Sequence, residues 1–331
     1  MKEQTFIRNN IKKWERAETI ADEAATQSPA TLAEVYVDIT ADLSYAQTHY
    51  PDSRMTVYLN GLSAALHNAI YSNKREPARR LITYWTREMP LVLYDARRLL
   101  LVSLLIFLAS ALVGALSQMA DPSYCRLIMG DAYMDMTEAN IAAGKPMNVY
   151  GGMPETMMFG AITLNNIGVA FRIFVMGLFT SIVSGLMLFY NGVMMGCFDA
   201  YFAQHGQLGI CLSTTMLHGT LELSAIVISG SAGLALGNGW LFPGTYTRLA
   251  SFRRGARRGL KIVFSTVPMF IVAGFIESFI TRMSDLTIIG RLAIIVPSAA
   301  FVLFYYVYWP VRVHRRMAGQ QRNKTTETNN I

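Results

Sequence analysis

The sequence predicts an all-α protein: a polytopic membrane domain of about six transmembrane helices, some short or broken, preceded by a cytosolic helical bundle. Three observations carry this. Charged residues make up 15% of the 331-residue chain, against about 25% in an ordinary soluble domain. The charge is uneven: residues 1–98 hold 13 basic and 12 acidic side chains, while residues 99–331 hold 16 and 10 over more than twice the length. The second part also contains several runs of the roughly 20 apolar residues that cross a bilayer as a helix. The same composition excludes a disordered chain, a collagen and a disulfide scaffold. Three cysteines (Cys125, Cys197, Cys211) are too few for a framework.

Residues 1–98 read as helices. Phe6, Ile7, Ile11, Trp14 and Ile20 recur at helical spacing. Ser28-Pro29 marks a helix start, because the missing proline N–H costs little in a first turn. Leu32, Val35, Tyr36, Ile39 and Leu43 form the stripe that follows. Met55, Tyr58, Leu59, Leu62, Leu66 and Ile70 form another after Pro51-Asp52-Ser53. Pro77 opens a further helix toward the membrane, rich in arginine and large apolar residues, which could also lie along the membrane surface. Gly61 is the one glycine in the whole stretch, and a small bundle is the expected product.

The first span, 99–119, contains no charge. An extracytoplasmic loop is expected at 120–160, and a membrane core with about five further spans at 161–310. Within the core, spans are expected near 167–186, 188–203, 217–236, 260–280 and 288–308. The segment 188–203 reads as short and interrupted by Asn191-Gly192, Gly196 and Asp199, so it either crosses fully or turns back. Trp309-Pro310 marks the expected end of the last span, and 311–331 is a basic tail.

Basic residues in short loops set orientation. Arg97-Arg98, the run of Arg248, Arg253, Arg254, Arg257, Arg258 and Lys261, and the tail with Arg312, Arg315, Arg316, Arg322 and Lys324 all belong on the cytoplasmic side. Loop 120–160 has two basic and five acidic groups and belongs outside. Six spans with both termini cytoplasmic satisfy all four placements. The net charge of +7 then points to anionic lipid, with Arg253, Arg254, Arg257 and Arg258 as a membrane-surface cluster, and not to nucleic acid. Trp85, Tyr94, Tyr306, Tyr308 and Trp309 stand beside basic residues at span ends, where amphipathic rings are favoured.

Polar groups inside spans are functional candidates by default. Asn165-Asn166, Asn191 and the pair His218/Glu222 are the foremost. The last two are four residues apart and share a helix face. Arg172, Asp199, Glu277 and Arg291 add charge. Two readings stay open: these groups pair and hold a packed bundle, or they line a pathway, as the broken helices of transporters do. A zinc protease would need H-E-x-x-H, and His218-x-x-x-Glu222 supplies at most two ligands. There is no P-loop or G-x-G-x-x-G, no placed serine nucleophile, and no thiol metal pattern. No catalytic residue, metal or cofactor is therefore expected. Cys125 stands alone in the outer loop, so any disulfide there would be intermolecular.

The motifs Asn165-Asn166, Asn191-Gly192-x-x-x-Gly196, His218-Gly219-x-x-Glu222-Leu223-x-Ala225-Ile226 and Gly230-Ser231-Ala232-Gly233-Leu234-x-Leu236-Gly237 follow in that order. In this the membrane half, over roughly residues 160–240, resembles the stage II sporulation protein M family. The N-terminal bundle looks like the extension of that family's non-sporulating bacterial members. The resemblance implies a non-enzymatic scaffold in the bacterial cytoplasmic (inner) membrane. It would work with other envelope proteins, such as an assembly of an AAA+ ATPase, von Willebrand-type and RDD-type proteins. The hundred-residue cytosolic domain departs from the short sporulation form. A homo-oligomer is compatible with the sequence. Asn165, Asn166, Asn191, Gly192, His218, Gly219 and Glu222 are read as one intramembrane polar cluster, structural or binding; the alternative function is a transporter or channel component with its polar site at His218/Glu222.

Overall fold

The computed structural model describes residues 2–24, 27–71, 79–144, 154–282 and 286–329. Among these every regular element is helical. The chain divides into two compact units, Met1–Leu81 and Ile82–Ile331. The boundary expected at residue 98 falls inside a long helix, Met89–Ala120. The expected helix start at Pro77 and the side chains of Arg322 and Lys324 lie outside the described residues.

The first unit contains α1 (Glu3–Asp22), α2 (Pro29–His49) and α3 (Arg54–Tyr71). Ser28 caps α2, its hydroxyl accepting from the Thr31 N–H, with Pro29 in the first turn. The three apolar stripes meet in one core containing Phe6, Trp14, Leu32, Ile39, Leu59 and Leu66. Trp14 is 1% exposed, and its indole N–H donates to Asp42 at 2.8 Å. The same carboxylate pairs with Lys13, so the indole N–H is satisfied inside an otherwise apolar core.

α4 (Arg79–Thr83) runs across the division between the units and leads through a π-helical turn, Tyr84–Glu88, into α5 (Met89–Ala120) of the second unit. Then follow α6 (Tyr124–Met129), α7 (Asp131–Ala142), α8 (Glu155–Met176), α9 (Ser181–Gln204), α10 (Leu208–Leu241) and α11 (Arg248–Phe275), the last ending in a π turn, Ile276–Ile280. α12 (Ile288–Val302) continues through a third π turn, Leu303–Tyr308, into α13 (Trp309–Asn329). Among the described residues six helices are long and apolar enough to cross a membrane: Arg80–Ala120, Glu155–Met176, Ser181–Gln204, Leu208–Leu241, Arg248–Ile280 and Ile288–Gln320.

The number of spans is as expected, but several boundaries move. The segment read as short and interrupted is one unbroken 24-residue helix, α9. The break lies earlier, at residues 177–180, where Thr180 caps α9 by accepting from the Val183 N–H. α8 accordingly starts at Glu155. Trp309-Pro310 does not stop the last helix. Pro310 stands in the first turn after a π segment, where the helical ladder is already shifted, and α13 continues.

α5 explains why this unit suits lipid. Leu101, Leu104, Leu105, Leu108, Leu112 and Leu116 are exposed, while Ser103, Ser110, Gly114 and Gln118 are buried. This is the reverse of a soluble helix. Small and polar groups mark the helix contacts, and leucines face outward. Ser103 donates to the Val227 carbonyl of α10 at 2.5 Å, and Ser184 of α9 donates to the Ile173 carbonyl of α8 at 2.7 Å. Side chains at Gly192 and Gly196 would overlap Ser110 and the Ala111 carbonyl of α5. One at Gly233 would overlap Ser184, and one at Gly259 would crowd the Ala232 carbonyl. These glycines therefore mark backbone contacts between helices and not helix breaks. Residues 228–237 of α10 are buried throughout, so α10 is the centre of the bundle.

Within the expected outer loop, α6 and α7 are helical. Gly130, at φ 88°, turns the chain between α6 and α7. Arg126 pairs with Asp131, Asp135 and Glu138 at 3.4, 2.5 and 2.9 Å, and the hydrogen-bonded Asp135 is the first cause raising its pKa. Gln118 and Gln204 clasp α5 to α9 at 2.8 Å. Cys125 is not alone: it is buried in one cluster with Cys197 and Cys211, and all three thiols are free. A hydrogen bond with the Cys197 thiol, then burial, holds the Cys125 thiol well above its usual pKa. Since the thiolate is the reactive form, Cys125 should resist maleimide in the folded protein at pH 7.5 and label on unfolding. Mass spectrometry of the labelled peptide checks this, and rapid native labelling would contradict the burial.

Candidate functional site

α10 places His218 and Glu222 one turn apart on one face, as their spacing requires. The structure adds Glu277, from the π turn after α11. One candidate ligand atom from each of the three residues lies within 4.8 Å of the others. His218 Nε2 is 4.0 Å from Glu277 Oε2. His218 Nδ1 faces the Thr281 hydroxyl at 3.4 Å, and that hydroxyl also donates to the Ile276 carbonyl at 3.2 Å. The His218 and Glu277 side chains are 13% and 14% exposed. Glu222 Oε2 is buried with no hydrogen-bond partner among the described residues. A π turn adds one residue to a helical turn, a distortion found often at functional sites.

The other expected members stand apart. Asn165 is exposed, and its amide donates to Asn166 at 3.4 Å. Asn191 donates back to the Met187 carbonyl at 2.8 Å. Among the described residues no hydrogen bond joins any of these asparagines to His218 or Glu222. Gly192 is a helix contact, as above. Gly219 is buried, yet a side chain there would meet Thr215 of its own helix at an ordinary 3.5 Å. Arg172 donates to the Gly168 carbonyl and Asp199 accepts from the Cys211 thiol, so these two opposite charges do not pair. Arg291 of α12 donates to Ser213 and Thr214 at 2.7 and 2.8 Å, one turn before His218.

The expectation of at most two metal ligands here is thus revised, for Glu277 is a third candidate donor. Sequence spacing could not join it to the pair, because it sits on another helix. The available signal was its charge in an apolar span.

The second candidate region lies at the start of α11. Thr247 caps the helix by accepting from the Ala250 N–H. Arg253, Arg254 and Arg257 are exposed and Arg258 is half-buried. Arg254 stacks over the Tyr246 ring at 4.3 Å, Arg258 lies 3.9 Å from Asp95, and Lys261 pairs with Glu88 at 3.4 Å. The start of α11 is thereby tied to α5 and the π turn before it by exposed charge pairs, each worth little alone.

A family profile described as stage II sporulation protein M matches residues 103–282, more than half of the chain. The chain belongs to the stage II sporulation protein M family. The family match is wider than the motif region at 160–240. It runs from within α5 through the π turn and so includes His218, Glu222 and Glu277, but it ends before Arg291. Together with the six apolar helices, membership in the stage II sporulation protein M family makes this a multi-pass membrane protein. Residues 4–72 separately match a profile described only as a domain of unknown function (DUF8413). No curated protein and no solved structure matches the chain.

Proposed function

We propose that the protein is a non-enzymatic scaffold of an envelope-associated complex in the bacterial cytoplasmic membrane. The observation that carries this is the interior of the membrane unit. Glycines of α9, α10 and α11 abut neighbouring backbone, and serine hydroxyls bond across helices. Such packing suits a fixed platform better than a path opened and closed by moving helices. The asparagines that a conducting pathway would recruit are spent locally, which counts against the transporter reading. The helical first unit offers a cytosolic docking module. α6 and α7 offer an extracytoplasmic one, stiffened by Arg126 and its three carboxylates. An assembly with an AAA+ ATPase, a von Willebrand-type or an RDD-type protein is the partner class this reading favours, and the exposed arginines of α11 would meet anionic lipid.

The basic segments support a cytoplasmic position for both termini. With six spans, cysteines introduced at His205 and Ala250 should behave oppositely in intact cells. The first should label with a membrane-impermeant maleimide and the second only after permeabilisation. Crosslinking in cells followed by mild-detergent purification should recover defined envelope proteins. Labelling at position 250 from outside would overturn the orientation, and a chain that reproducibly crosslinks to nothing would overturn the scaffold reading.

A further inference from the structure

We infer that His218, Glu222 and Glu277 bind one divalent first-row transition ion, with zinc as the reference case, between α10 and the π turn that follows α11. This stands independently of the scaffold reading. Three donor atoms from two helices already converge within 4.8 Å. The buried Glu222 Oε2 lacks a donor among the described residues, and a buried carboxylate oxygen left without one is costly. Two carboxylates here lie beside a single imidazole. Among the described residues no lysine or arginine pairs with either of them. Arg291, nearby on α12, is directed to Ser213 and Thr214. A divalent cation supplies both the missing charge and the missing partner.

The donor set selects the ion. One nitrogen and two carboxylate oxygens suit zinc and its neighbours. Calcium and magnesium prefer shells of oxygen alone, with about six or more ligands. Zinc bonds of about 2.0–2.2 Å put tetrahedral donors about 3.4 Å apart, so from within 4.8 Å the three side chains would close by up to about 1.4 Å. Thr281 holds Nδ1 and leaves Nε2, the nitrogen nearer Glu277, to coordinate. This is the way outer partners orient a ligating imidazole. The fourth position would fall to water or an exogenous ligand.

The test uses the full chain in detergent, freed of tags, stripped with chelator and dialysed, with Zn2+ or Co2+ as the sole probe. The parent should retain one ion per chain by elemental mass spectrometry, and its thermal midpoint should rise with Zn2+. His218→Ala, Glu222→Gln and Glu277→Gln should each weaken binding about tenfold or more, while His49→Ala should not. No retained ion, or equal retention by the triple variant, overturns the proposal. Should the variants not fold, the Co2+ spectrum of the parent decides. Bands from nitrogen and oxygen ligation support the site, whereas a thiolate-to-cobalt charge-transfer band would place the ion on the cysteines and overturn it.

Discussion

Gly233→Leu should abolish a stable membrane unit. A side chain at this position would enter the space of the Ser184 hydroxyl and the Ile173 carbonyl, a contact made by two other helices at once. Overpacking usually costs about 1–3 kcal/mol. Here one neighbour is backbone and cannot rotate away, so the upper end, about 3 kcal/mol, is expected. It would also break the Ser184 bond to Ile173. The variant should elute as aggregate in mild detergent, or melt far below the parent by circular dichroism. Gly219→Ala is the matched control. It meets its surroundings at ordinary distances and should leave the midpoint within a few degrees. Equal melting of the parent and Gly233→Leu would mean that α8, α9 and α10 are not packed as described.

Trp14→Ala should melt the first unit. The indole is fully buried at the centre of the core, and removing a buried tryptophan costs about 3–5 kcal/mol. The loss includes the indole hydrogen bond to Asp42, whose carboxylate keeps its Lys13 partner. Limited proteolysis of the full chain reads this out. Cleavage should appear within α1–α3 at protease levels that leave the parent uncut, while α5–α11 remain protected. An unchanged pattern would show that Trp14 does not hold the three helices together.

The class of fold and the six spans were legible because long apolar runs and a sharp change in charge density report directly on solvent. The three-helix stripes and the Ser28 cap were legible because spacing and capping are local chemistry. The α8–α9 boundary was not. Leu178 and Phe179 carry the apolar run straight across the turn, and hydropathy does not register a cap such as Thr180. Gly192 and Gly196 looked like breaks because glycine weakens a helix in water. Inside a bundle the same missing side chain lets Ser110 and Ala111 come close. For the site, the i,i+4 rule found His218 with Glu222 but is blind to any second helix, so Glu277 and Thr281 escaped. The asparagines were over-read, since a polar side chain in a span can satisfy itself on its own backbone, as Asn191 does. Cys125 seemed solitary because its neighbours come from helices far along the chain.

The contrast between α5 and α10 divides the tolerance of this chain to change. The outer leucines of α5 feel only the greasiness of their surroundings, so any side chain of similar oil solubility can replace them. The stretch 228–237 of α10 is enclosed on every side, and there each added methyl group must displace a neighbour. Evolution can therefore drift freely along the outer wall of the membrane unit, while its axle is held to a narrow range of volumes.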